Sequence, residues 1–97
     1  MKQEIFNQTL DKVSDLFGLS TDEVLSKTKK REVVDARQLL YYLCNEKRSM
    51  QLTYIQNYMQ QRGYNVGHSS IHHGIAQVKD KMELDKDYRQ VVERLEL

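Results

Sequence analysis

The chain has no proline, no tryptophan, four glycines and one cysteine in 97 residues. Proline-free sequence with little glycine removes the usual punctuation of turn-rich sheet folds and favours helices. A lone cysteine, Cys44, excludes an internal disulfide and fits a reducing, cytoplasmic compartment. Its neighbour Leu43 places it in an apolar stripe, where a thiol behaves as a small hydrophobe. No apolar run approaches the ~20 residues that span a bilayer, and the polar start shows no signal peptide. A glycine-rich phosphate loop of the Walker type is also missing, which excludes ATPase chemistry by that route.

What remains is one domain's worth of chain, expected to be a single helical unit over 1–97. Hydrophobic residues make up 39% and charged residues 30%, which suits a modest core under a well-solvated surface. The net charge of +1 hides an asymmetry: residues 1–26 carry −3, 27–48 carry +4, 49–82 carry +2 and 83–97 carry −2. A local basic patch of this kind can attract polyanions although the whole chain is near neutral.

Periodicity predicts about six short helices. Ile5, Phe6, Leu10, Val13, Leu16 and Phe17 form a helical stripe over 3–17, and Gly18 is a stop signal. Ser20 and Glu23 have the spacing of a capping box and open a short second helix with Val24 and Leu25. Residues 27–31 then read as an exposed basic loop. A third helix is expected from Asp35, burying Ala36, Leu39, Leu40, Leu43 and Cys44, with a polar connection at 45–49. Of the adjacent Tyr41 and Tyr42, at most one is expected to point fully inward. The fourth helix covers 52–61 with Leu52, Ile55, Tyr58 and Met59 inward, and 60–67 reads as a long turn. The fifth spans 68–83 on the stripe Ile71, Ile75, Val78 and Met82. Asp85 or Asp87 caps a sixth, with Tyr88, Val91, Val92 and Leu95 inward.

The fourth and fifth helices make a candidate helix-turn-helix, whose second helix places its first residues in the major groove. Those residues are His68, Ser69 and Ser70, polar side chains that the apolar stripe does not need. Serine hydroxyls can meet base edges or phosphates, and helix N-terminal amides attract phosphate. The plainer reading is that a serine there only caps the helix, and that the basic run 27–31 is only solvated surface. Together the two features match the footprint in which backbone contacts position and base contacts specify.

Ser26-Lys27, the basic loop, Arg37-Gln38 and the run from Gly67 to His73 resemble the C-terminal DNA-binding domain of the bacterial replication initiator DnaA. The likeness runs from Val13 through Tyr88 in the same helix order. It implies an all-α, Trp-repressor-like fold that recognises a short asymmetric duplex box. By position it implies backbone or minor-groove contacts for Lys27, Lys29, Lys30 and Arg31, and a backbone contact for Arg37. It implies base and phosphate contacts for His68, Ser69 and Ser70, places His72 and Gln77 on the same helix as further DNA-binding candidates, and gives His73 a structural role. The chain departs from the family at Gly67, where an aspartate is usual, at Thr28, Asp35 and Gln77, which replace basic residues, and at Lys29, which replaces a minor-groove arginine. The turn before His68 is about four residues longer than usual for this motif.

His68 and His72 lie one helical turn apart, but a structural zinc needs four ligands and the single cysteine is remote, so no metal or other cofactor is expected. No third group completes a His–Ser pair for catalysis, so the chain is not expected to be an enzyme. The expectation is therefore sequence-selective binding of duplex DNA by a regulator of replication or transcription, with no membrane partner. The alternative is a helical protein-interaction module that has lost DNA binding. A third reading, single-strand binding, would depend on Tyr64. A homodimer through the first helix is compatible with its amphipathic pattern, and a free-standing relative carried by a phage is one compatible origin.

Overall fold

The computed structural model describes residues 1–95; the last two residues of the expected 1–97 domain lie outside them. Six α-helices follow one another: α1 (Lys2–Phe17), α2 (Thr21–Val24), α3 (Arg31–Tyr42), α4 (Leu52–Gln61), α5 (His68–Leu84) and α6 (Lys86–Arg94), with no strand among the described residues. The all-α expectation holds, and so do most of the boundaries.

Local chemistry sets the ends. Gly18, at φ 66°, ends α1 in a Schellman turn, with the Gly18 amide donating to the Asp15 carbonyl and the Leu19 amide to that of Ser14. Both bonds of the Ser20/Glu23 capping box form, at 2.9 and 3.1 Å. Asp85, not Asp87, caps α6 by accepting from the Tyr88 amide. Gly63, at φ 87°, repeats the Schellman pattern after α4, where the Tyr64 amide reaches the Met59 carbonyl.

Two boundaries differ from expectation. α3 begins at Arg31 rather than Asp35, so Arg31 belongs to a helix and the loop proper ends at Lys30. The polar stretch expected to be a connection at 45–49 instead extends α3 through a π-helical turn, Leu43–Lys47. The Arg48 amide there bonds the Leu43 carbonyl, and Ser49, at φ 55°, releases the chain toward α4. The widened turn keeps Leu43 and Cys44 in the core while Glu46 and Lys47 stay exposed.

α3 is the central element, packed by α1, α2 and α5. That is why Tyr41 and Tyr42 are both buried, against the expectation that only one could be: the helix has protein on nearly every side. Phe6, Leu10, Leu39, Leu40, Met59, Ile71 and Val78 fill the core, and Val92 closes it from α6. Leu16 and Val91, expected inward, are 43% and 37% exposed, because each sits at the edge of a stripe whose centre is already filled. The apolar face of α1 is otherwise spent inside this domain, with Phe6, Leu10 and Val13 fully covered. No helix among the described residues is long and apolar enough to cross a membrane.

The crossing of α3 and α5 is close because Gly74 faces α3. A Cβ there would come within 3.0 Å of the Tyr41 ring and 3.1 Å of the Gln38 side chain. Gly74→Val should therefore destabilise the domain by about 1–3 kcal/mol through overpacking, read as a lower urea midpoint.

Burial pushes the Cys44 thiol up from 9.0 to about 12, against smaller opposing effects of a Thr9 hydrogen bond and Arg48. Burial likewise raises the Tyr88 phenol from 10.0 to about 12, helped by Asp35 and Tyr42. Both groups hold their protons more tightly when folded, so stability should be fully present below about pH 9 and fall as pH climbs toward 12. Urea titrations at about pH 8 and about pH 10.5 should give the lower midpoint at the higher pH.

Candidate nucleic-acid interface

The site begins at a buried arginine. Arg37 projects from α3 and is only 7% exposed. Its Nε donates to the Val24 carbonyl at 2.9 Å, and one terminal nitrogen donates to the Ser26 and Thr28 carbonyls at 3.0 and 2.6 Å. The other donates to the Tyr64 hydroxyl at 2.8 Å, and the guanidinium carbon lies 4.8 Å from the Tyr64 ring centre. Four of the five N–H donors are thus spent inside the domain. The sequence suggested a DNA-backbone contact for Arg37; the structure gives it an internal one.

That arrangement explains the loop. The carbonyls of residues 24, 26 and 28 all turn toward one cation, and the alternate residues Lys27 and Lys29 stand exposed. Lys30 is exposed as the N-cap of α3 with no side-chain cap bond, and Arg31 is exposed in the first helical turn. Cations at a helix N-terminus oppose the helix dipole, so folding stability does not account for them.

The same guanidinium holds the turn between α4 and α5 through Tyr64. A second tether is the Gln56 amide, which donates to the Val66 carbonyl at 3.0 Å. The longer turn is therefore anchored on both sides of Asn65. α5 follows with Gly67 as N-cap and no side-chain cap bond. The hydroxyl of neither Ser69 nor Ser70 makes a hydrogen bond among the described residues, so the plain capping reading of the serines does not hold. Both are exposed, as are His68 and His72.

Between these parts lies a cleft of about 430 Å³, lined among others by Arg37, Tyr64, Asn65, Gly67, Ser69 and Ser70. It continues past Val34, Gln38 and His73 into a recess of about 250 Å³ bounded by Arg31, Asp35, Gln77 and Lys81. The structure thus brings Arg31 and Gln77 together, and joins Ser69 and Ser70 to the loop through Arg37. Lys27, Lys29, Lys30, His68 and His72 lie outside both recesses, exposed around them. His73, for which the resemblance implied a structural role, is exposed on the wall between the two. Asp35, half-buried, accepts from Lys81 at 2.9 Å and so neutralises one cation of the lower recess. No cluster of metal-ligating side chains occurs among the described residues.

Residues 6–78 match the family described as the bacterial DnaA protein helix-turn-helix. The chain belongs to that family. It is 31% identical over 84 residues to the chromosomal replication initiator protein DnaA of Porphyromonas gingivalis, covering 87% of this chain and 17% of that protein. It is 30% identical over 86 residues to the DnaA of Lachnoclostridium phytofermentans, covering 89% and 18%. The chain therefore spans less than a fifth of the length of these relatives. A crystal structure of a DNA replication initiation factor superposes with a TM-score of 0.80 at 19% identity, covering 98% of this chain and 28% of that one. The family match spans α1 through most of α5, and the structural superposition extends over nearly the whole chain.

Sequence reasoning missed Tyr64 as the partner of Arg37 and Asn65 as a lining residue. Nothing in local periodicity marks a contact 27 residues away. Arg37→Met should leave three carbonyls without their donor and cost about 3–5 kcal/mol, whereas Tyr64→Phe should cost about 1–3 kcal/mol. Thermal melts of both variants check that ordering.

Proposed function

We propose that this domain binds duplex DNA sequence-selectively in the cytoplasm, as a regulator of replication or transcription. The N-terminal turn of α5, with His68, Ser69 and Ser70, enters the major groove, and the residues 27–31 follow the adjacent backbone and minor groove. His72 and Gln77 flank the contact from the same helix. The observation that carries this reading is the uncapped start of α5. Its free amides and two unpaired serine hydroxyls open onto a cleft tied by Arg37 to an exposed basic loop. Free helix N-terminal amides suit phosphate, and the hydroxyls suit base edges. Membership of the DnaA helix-turn-helix family supports the same reading. The neutral Thr28 and Gln77 and the paired Asp35 leave fewer cations than the family pattern, so the salt dependence should be shallow.

Fluorescence anisotropy against a duplex carrying a DnaA-type box, a shuffled duplex and a single strand, each at two salt concentrations, tests the proposal. Preference for one duplex supports it. Equal binding to both duplexes redirects the search to another site, and no binding at low salt leaves a protein-interaction module in its place. Ser69→Ala or Ser70→Ala should relax sequence preference by about 1–3 kcal/mol per lost base contact. Lys29→Ala or Arg31→Ala should weaken binding to all duplexes and lower the salt slope by about one.

A further inference from the structure

We infer that Asn65 is a specificity-determining residue of this interface and that it reads an adenine in the major groove. The inference rests on the duplex-binding reading above and adds a residue and a base to it.

Asparagine is common in turns for two reasons: it tolerates a left-handed backbone, and its side chain bonds its own backbone nearby. Neither applies here. Ser49 is the one non-glycine residue with positive φ among those described, and the Asn65 carboxamide makes no hydrogen bond among them. The turn does not need this side chain, yet the turn is held still around it. Tyr64 is fixed by Arg37 and by the Schellman turn at Gly63, and Val66 by Gln56. Both neighbours pack against the core, while Asn65 is exposed. It lines the cleft beside Ser69 and Ser70, and Gly67 presents no side chain there, with nothing within 4 Å of the place where its Cβ would stand. A free carboxamide on a backbone tethered at both neighbours thus lines the same cleft as the tip of α5.

The base follows from the chemistry. A carboxamide offers one donor and one acceptor side by side, which matches the N7 acceptor and N6 donor of adenine. Guanine presents two acceptors at the same edge and leaves the carboxamide oxygen unpaired.

The test is selection of bound sequences from randomised duplexes by wild-type protein, Asn65→Ala and Asn65→Gln, each first shown to keep the wild-type helical spectrum and melting temperature. Wild type should select an adenine at one position where Asn65→Ala selects no base, and Asn65→Gln should retain some preference for it. At that position 7-deaza-adenine, which lacks N7, should weaken wild-type binding roughly tenfold and leave Asn65→Ala unchanged. If wild type and Asn65→Ala select the same site with equal weight on every base, the inference is overturned while duplex reading stands. If wild type selects no sequence, duplex reading fails and the inference fails with it.

Discussion

A buried guanidinium without a carboxylate partner is a costly object, tolerated only where its donors are met. Arg37 meets that condition with three carbonyls and one phenol drawn from the end of α2, the basic loop and the α4–α5 turn. These segments are held where they are because the cation must be satisfied. The constraint couples two parts that a helix-turn-helix usually positions separately, the loop beside the motif and the turn within it. A change on either side leaves the same charge exposed to an apolar interior, so the basic loop and the tip of α5 share one mechanical reference point.

Around that point the molecule leaves its polar groups unevenly satisfied. Short capping bonds close α2 and α6, and Schellman turns close α1 and α4. The other four helices start without a side-chain cap, at Met1, Lys30, Gln51 and Gly67. Of these, the starts of α3 and α5 border the same pair of recesses, through Arg31 and Gly67.

Much of this was legible in the sequence, and the pattern of what was not is physical. The capping box, the Gly18 stop and the stripe Ile71, Ile75, Val78 are local signals, and each appears as expected. The failures lie where distant packing decides. Tyr41 and Tyr42 are both inward because α3 is surrounded, and Leu16 and Val91 are outward because their neighbours already fill the space. The π turn at Leu43–Lys47 carries helix into Asn45, Glu46 and Lys47, whose polarity argued for a loop. Arg37 was placed on the correct helix, but its internal bonding involves Tyr64, which no spacing rule connects to it.

Gly74 gives α5 a fulcrum. The helix comes backbone-close to α3 at that residue, and a tilt about the contact would keep it where a slide along α3 would not. From Gly74 to His68 the arm is about 9 Å, and to Leu84 about 15 Å, at the rise of an α-helix. The longer arm ends against α6. A load applied at α6 would reach the cleft-lining tip of α5 in shortened stroke and with gained force, as at the short end of a lever.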